Sequence, residues 1–213
     1  RFEDNSAALG SGALDISLGS SPTFADCLFI RNQADLCCAG GTAYDNCSVQ
    51  FTRCAFLGNV TSGPNGGGGF VVQLNSRADI RDCVFSGNVT AGGGGGLYCE
   101  DDDEVIVTNT TFLGNLANTF VGGGLLVARN SRADVRDCVL IGNVASGGGA
   151  LWCGDDSDLT VTTATFSSNV GSVGPGALRI ARNTNGTANL LNCILWNNGP
   201  IEISLNLATV TVA

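Results

Sequence analysis

Residues 112–143 read FLGNLANTFVGGGLLVARNSRADVRDCVLIGN, and this segment contains one full period of a repeat that runs along the chain. The period begins with Phe112-Leu113-Gly114-Asn115, and the next one begins with Leu140-Ile141-Gly142-Asn143. A glycine run at residues 122–124 and a group of alternating apolar residues lie between them. A fixed internal period decides the architecture of a chain before any single motif does.

The F-x-x-N pattern of this segment recurs from end to end, at spacings of 26 to 29 residues. It occurs at Phe2/Asn5, Phe29/Asn32, Phe56/Asn59, Phe85/Asn88, Phe112/Asn115, Leu140/Asn143, Phe166/Asn169 and Leu195/Asn198. Each period holds three short strand-like stretches separated by turns, as expected for one coil of a parallel β-helix. A leucine-rich repeat has a similar period, but its L-x-x-L-x-L signature is missing here.

The sequence therefore predicts an all-β fold, a single-stranded right-handed parallel β-helix of about seven to eight coils of 26–29 residues. We expect one domain over residues 1–213. Alternate coils resemble each other: Arg77-Ala78-Asp79-Ile80-Arg81-Asp82-Cys83 returns as Arg132-Ala133-Asp134-Val135-Arg136-Asp137-Cys138. The unit of duplication is two coils, with copies around residues 10–65, 66–121, 122–173 and 174–213.

The asparagine of each F-x-x-N unit is expected to stack on its neighbours and to form a ladder of amide hydrogen bonds from coil to coil. The predicted ladder consists of Asn32, Asn59, Asn88, Asn115, Asn143, Asn169 and Asn198.

Composition excludes several kinds of chemistry. The chain has no His, and all ten of its Lys+Arg residues are Arg, so catalysis through His and Schiff-base formation on Lys are excluded. The net charge of −9 lacks the basic surface that nucleic acid needs. No apolar run approaches the roughly 20 residues of a membrane helix, so membrane insertion is not expected.

Two acidic turns are candidates for a calcium site. Asp101 and Asp103 follow one strand, and Asp155 and Asp158 follow the equivalent strand two coils later. Carboxylates are hard oxygen ligands that suit Ca²⁺, so calcium is the one cofactor considered. The alternative is a surface charge ladder, in which arginine turns alternate with aspartate turns and remove like-charge repulsion.

Ten cysteines favour an oxidising compartment, so we expect an extracellular or cell-surface location. Cys83 and Cys99 are one predicted disulfide, and Cys138 and Cys153 are the other. Two more bonds are expected within the cluster Cys27, Cys37, Cys38, Cys47 and Cys54. The remaining cysteines are either buried free thiols or links between subunits.

Tyr98 and Trp152 are expected to point outward on the strand that follows the glycines, where they form a candidate contact surface. They would bind a glycan or a protein, or they are chance surface aromatics. The outward column of this strand contains no cluster of carboxylates, so no catalytic residue is predicted. A polysaccharide-active enzyme is the more distant alternative.

F-x-x-N units combined with runs such as Gly148-Gly149-Ala150-Leu151 resemble the repeat of chlamydial polymorphic outer membrane proteins and related secreted bacterial β-helix proteins. The resemblance implies a surface setting and an adhesive or structural role. No capping helix is evident at either end, and an uncovered β-helix end exposes unpaired backbone groups. Two explanations fit: the chain is a fragment of a longer rod, or it stacks end to end on its neighbours. The leading hypothesis is the second, a self-associating structural subunit of a surface filament. The alternative is an adhesin segment that binds host or glycan ligands.

Overall fold

Residues 1–64 and 66–212 are described by a computed structural model, in which the chain winds through about seven turns of a parallel β-helix. The predicted all-β fold is confirmed. Each coil carries four strands rather than the expected three, because a two-residue strand follows the asparagine of each F-x-x-N unit. We number the four resulting faces in chain order within each coil, beginning with the strand that follows the glycine run.

Face 1 contains Asp15–Ile16, Thr42–Tyr44, Phe70–Gln73, Leu97–Glu100, Leu125–Val127, Leu151–Gly154 and the first part of Leu178–Leu191. Face 2 contains Thr23–Ala25, Ser48–Thr52, Arg77–Arg81, Glu104–Thr108, Arg132–Arg136, Asp158–Thr162 and the last part of Leu178–Leu191. Face 3 contains Phe2–Glu3, Leu28–Ile30, Ala55–Leu57, Val84–Ser86, Thr111–Leu113, Val139–Ile141, Thr165–Ser167 and Ile194–Trp196. Face 4 contains Ser6–Ala7, Gln33–Ala34, Val60–Thr61, Val89–Thr90, Leu116–Ala117, Val144–Ala145 and Val170–Gly171.

Pairing between successive coils is parallel on every face. The long strand Leu178–Leu191 joins faces 1 and 2 into one 14-stranded sheet, and the strand Ile203–Val212 pairs with it. Among residues 1–64 and 66–212, no helix is long and apolar enough to cross a membrane.

The F-x-x-N motif forms a corner between faces 3 and 4, and its third residue makes the turn. That residue has a positive φ of 50–62° in all eight copies: Asp4, Arg31, Gly58, Gly87, Gly114, Gly142, Ser168 and Asn197. The left-handed region is costly for most residues and is best tolerated by Gly, Asn and Asp. Four of the eight copies accordingly have glycine at this position. The motif therefore marks a corner of the coil as well as a core residue.

The core contains a stacked column of phenylalanine rings. The rings of Phe29, Phe56, Phe85 and Phe112 lie parallel on successive coils, with centroids 4.5–5.0 Å apart. All four side chains are fully buried. Offset stacking of this kind stabilises the core beyond the burial of apolar area.

The seven predicted asparagines lie in one buried ladder. In each step the Nδ2 of one asparagine donates to the Oδ1 of the next, over 2.7–3.0 Å. The same oxygen also accepts the backbone N–H of the preceding asparagine, as Asn115 Oδ1 does from Asn88. Asn5 donates into the first step. The ladder satisfies backbone groups that the corner would otherwise leave unpaired.

A second ladder precedes face 2. Ser76, Asp103, Ser131 and Ser157 occupy equivalent positions, and each accepts the backbone N–H of the residue one coil earlier. Asp103 is the odd member, because a carboxyl replaces a hydroxyl at a position only 3 % exposed. Its Oδ2 has no partner, and burial raises the pKa of the Asp103 carboxyl to about 8.

Candidate ligand-binding site

The outward residues of face 1 form a registered column with a central aromatic section. The observed pairing confirms the alternation, since Leu97 and Cys99 are buried in the core while Tyr98 points out. Moving from coil to coil, the outward column contains Thr42, Val71, Tyr98, Leu126, Trp152 and Arg179.

A cavity of about 400 Å³ lies over this column. We call it the aromatic cleft and define it by Tyr98, Phe120, Leu126, Arg129, Trp152 and Arg179. A second cavity of about 240 Å³ shares Tyr98, Phe120, Leu126 and Arg129 and extends the cleft toward Glu100 and Pro64.

The wall of the cleft comes from the loop at residues 118–124, between faces 4 and 1. Phe120 is 51 % exposed, and its backbone oxygen accepts the N–H of Ser146 on the next coil. The loops of the two neighbouring coils contain glycine runs at residues 92–96 and 147–149, which have no side chains to fill the space. Phe120 and Val121 therefore stand above a glycine-lined gap.

Trp152 forms the floor of the cleft and is only 8 % exposed, so the expectation of an exposed ring is wrong for this residue. Leu126, Ala128 and Ala181 pack beside it on the outer surface, with Tyr98 at the edge. A Cβ added at Gly154 would lie 2.5 Å from the indole, so the glycine provides the room in which the ring lies flat. The outer surface thus has a small apolar cluster of its own.

Tyr98 belongs to a polar group at one end of the cleft. Its hydroxyl donates to Oε2 of Glu100 over 2.5 Å, and Nη1 of Arg129 lies 2.7 Å from the same oxygen. Burial raises the pKa of Glu100, while the Tyr98 hydrogen bond and Arg129 act in the opposite direction. Burial also raises the pKa of Tyr98. The network fixes the orientation of the tyrosine ring and partly neutralises Arg129.

Arg179 supplies a second cation at the other end of the cleft. A Cβ added at Gly147 would lie 2.8 Å from its Nη1, so the guanidinium lies over that glycine. Within the described part of the chain, no carboxylate oxygen lies within 4.0 Å of the guanidinium. Its hydrogen-bond donors are available to a ligand.

The four aspartates predicted to bind calcium have different surroundings. Asp101 pairs with Arg129, Asp103 lies in the buried serine ladder, and Asp158 accepts hydrogen bonds from Thr187. Asp155 lies at the edge of the aromatic cleft. Among the residues that the structure describes, no three His, Cys, Asp or Glu side chains come together in a way that would hold a metal ion. The pair of Asp101 and Arg129 is the kind of inter-coil charge pairing that the alternative interpretation predicts.

The predicted disulfides are wrong. Cys83 and Cys138 lie at the corner between faces 2 and 3, whereas Cys99 and Cys153 lie on face 1, and all four are free thiols. A separation of about 16 residues moves along the chain to another face, whereas stacking requires a full period. Within the N-terminal cluster, Cys37 and Cys38 form a disulfide bond, and Cys27, Cys47 and Cys54 are free.

Sequence reasoning found Tyr98 and Trp152 but missed Phe120, Arg129 and Arg179 as parts of one site. The available signal was loop length. Seven residues separate the strands Leu116–Ala117 and Leu125–Val127, against six and five in the neighbouring coils. The longer loop contains Phe120 and Val121, whereas the neighbouring loops have glycines in their place.

The fold and the aromatic cleft together define a β-helix protein with a lateral cleft on face 1. Residues 59–212 match the family model described as the right handed beta helix region, and the chain belongs to this family. The narrower resemblance to chlamydial polymorphic outer membrane proteins stays a prediction.

Two curated proteins are similar to parts of the chain. One is metabotropic glutamate receptor-like protein R of Dictyostelium discoideum, 35% identical over 61% of this chain and 8% of that protein. The other is the probable autotransporter YfaL of Escherichia coli K12, 32% identical over 35% of this chain and 6% of that protein. The chain thus spans less than a tenth of the length of either relative. No solved structure matches the chain significantly.

Proposed function

We propose that this chain is a carbohydrate-binding β-helix module of a secreted or cell-surface protein, with the aromatic cleft as its binding site. The observation that carries the proposal is the registered column Tyr98, Leu126, Trp152 and Arg179 beneath Phe120. It combines apolar ring surface with a few fixed polar groups, which is the composition of a small-ligand site. The cavity volume of about 400 Å³ suits a ligand of one or two sugar rings.

The names of the two relatives support the surface setting. One is a receptor-like protein and the other a probable autotransporter, and neither is the name of an enzyme. The charge distribution within the cleft adds a preference. Arg129 is already paired with Glu100 and Asp101, whereas Arg179 has no ion pair in the described part of the chain. A sugar that carries a carboxylate would complete the coordination of Arg179.

The proposal is for binding without turnover. The carboxyl group of Glu100 contacts Tyr98 and Arg129. These contacts orient the tyrosine ring and do not direct the carboxyl group of Glu100, as a proton donor, at a glycosidic bond. The end-to-end filament predicted from the sequence has no described contact to support it, and it stays a prediction. A lateral cleft is compatible with either a monomer or a stacked assembly.

Calorimetric titration with hexagalacturonate, xylohexaose and chitohexaose tests the proposal. We expect at least one of these oligosaccharides to bind the wild-type protein, with no release of reducing ends. Trp152→Ala removes the floor of the cleft and should abolish the heat of binding. Trp196→Ala is the matched control, because this second tryptophan is 72 % exposed on face 3, away from the cleft. Absence of binding to every probe, or equal losses in both variants, would overturn the proposal.

A further inference from the structure

A column of cysteines lies at the corner between faces 2 and 3. Strand pairing places Cys27, Cys54 and Cys83 at the same position on three successive coils. The following coils place Thr110, Cys138, Ala164 and Cys193 at this position. Three thiols are therefore direct neighbours in the first part of the column, while Cys138 and Cys193 have threonine or alanine beside them.

The thiol of Cys54 leans toward the coil of Cys27. Its Sγ lies 3.5 Å from the backbone oxygen of Phe24, which belongs to that coil. Registered residues on adjacent parallel strands have Cα atoms about 4.8 Å apart, which is within the 4.4–6.8 Å span of disulfides. The backbone spacing of the two coils therefore permits a disulfide at this position.

Exposure gives the two thiols different roles. Cys27 is half-buried at the surface, whereas Cys54 and Cys83 are each only 2 % exposed. A soluble oxidant therefore reaches Cys27 first. Cys54 is the neighbouring thiol in the column that can attack the oxidised Cys27.

We propose that Cys27 and Cys54 form an inter-coil disulfide when the protein meets a small disulfide oxidant such as oxidised glutathione. The Cys27 thiolate attacks one sulfur of the oxidant, forms a mixed disulfide and releases one glutathione thiol. The Cys54 thiolate then attacks Sγ of Cys27 and releases the second glutathione. Two protein thiols are oxidised, one oxidant disulfide is reduced to two thiols, and the two protons pass to the leaving thiolates.

The bond would add a covalent link between two coils that already meet through strand pairing, packing, the asparagine ladder and the ion pair of Asp26 and Arg53. It closes a loop of one full repeat period, which restricts the unfolded chain. We therefore expect the oxidised protein to unfold at a higher temperature than the reduced one. Cys83 stays reduced, because Cys54 can form only one bond and no oxidant reaches the buried Cys83 directly.

The test uses the full chain with Cys37→Ser and Cys38→Ser, so that eight thiols remain. After treatment with oxidised glutathione and an acid quench, the protein is denatured and alkylated, and its intact mass and peptide map are recorded. We expect the loss of three alkylation sites: two in a cross-linked peptide that joins Cys27 to Cys54, and one at Cys193, which carries a glutathione adduct.

Cys193 is the internal control, since it is half-exposed in the same column but lies beside Ala164. It should carry a glutathione adduct and form no cross-link. Cys27→Ser should form no cross-link, so that it loses thiols only to glutathione adducts. Cys138→Ser should still form the cross-link. A cross-link between Cys54 and Cys83, or a glutathione adduct on Cys27 without any cross-link, would overturn the proposal.

Discussion

Nδ2 of Asn88 donates to Oδ1 of Asn115 over 2.9 Å, and the backbone N–H of Asn88 donates to the same oxygen over 3.1 Å. Asn115 in turn donates to the backbone oxygen of Phe85 and to Oδ1 of Asn143. One side chain thus satisfies buried polar groups on the coils before and after its own. The ladder explains why every F-x-x-N motif ends in asparagine.

Replacement of Asn115 by Ala should destabilise the protein by about 3 kcal/mol, because it leaves several buried donors and acceptors without partners. Urea denaturation measures the change. Asn118→Ala is the matched control in the same coil, since this side chain is exposed, and its effect should stay within about 0.5 kcal/mol. Similar effects for the two variants would contradict a structural role for the ladder.

The phenylalanine stack predicts a graded series at one position. Phe85→Ala leaves a cavity between the rings of Phe56 and Phe112 and should cost about 3–5 kcal/mol. Phe85→Leu should cost less than half as much, because Leu140 already occupies this column between Phe112 and Phe166. Phe120→Ala removes a ring outside the core and should change the unfolding free energy by about 0.5 kcal/mol at most. Equal costs for the three variants would contradict the observed packing.

Asp103 predicts a pH dependence of stability. The pKa of its carboxyl is about 8 in the folded protein, above the ordinary value of 3.8, so the folded state binds a proton that the unfolded state releases. Its contribution to stability is complete below the unfolded pKa and is lost as the pH rises through about 8. The wild-type protein should therefore lose stability between about pH 5 and about pH 9.

Asp103→Ser restores the residue type of the ladder and should remove this part of the pH dependence. Denaturation at about pH 5 and about pH 9 measures the difference in unfolding free energy between the variant and the wild type. Asp35→Ser removes one negative charge at an exposed site and is the control for net charge. An unchanged pH profile in Asp103→Ser would show that the carboxyl is ionised in the folded protein.

The charge of Arg179 predicts the ligand preference. Arg179→Gln should weaken binding of hexagalacturonate about tenfold, since a charge-assisted hydrogen bond contributes about 1.5–3 kcal/mol. Binding of neutral xylohexaose should change little. Arg136→Gln is the control, because this arginine pairs with Asp134 on face 2, away from the cleft. A uniform loss for both sugars would point to a role of Arg179 in shaping the cleft only.

Much of the fold could be predicted because the repeat encodes it locally. Phe85 and Asn88 mark the core and the ladder, and Gly87 marks the corner with its positive φ. The disulfides could not be paired by counting, because Cys83 and Cys99 are separated by part of a coil and therefore lie on different faces. The alternation of face 1 predicts the correct side of the strand for Trp152, but the burial of its ring depends on Leu126 and Ala181 from neighbouring coils. Such contacts follow from register rather than from any single repeat.

The central claim is that Trp152 lies in the ligand-binding site, and its own fluorescence tests this most directly. The chain has two tryptophans, so Trp196→Phe leaves Trp152 as the single reporter, and Trp152→Phe leaves only the remote Trp196. Titration of both variants with hexagalacturonate should give a saturable change in emission for Trp196→Phe and none for Trp152→Phe. Calorimetric binding without any change in the emission of Trp152 would place the ligand elsewhere and contradict the account.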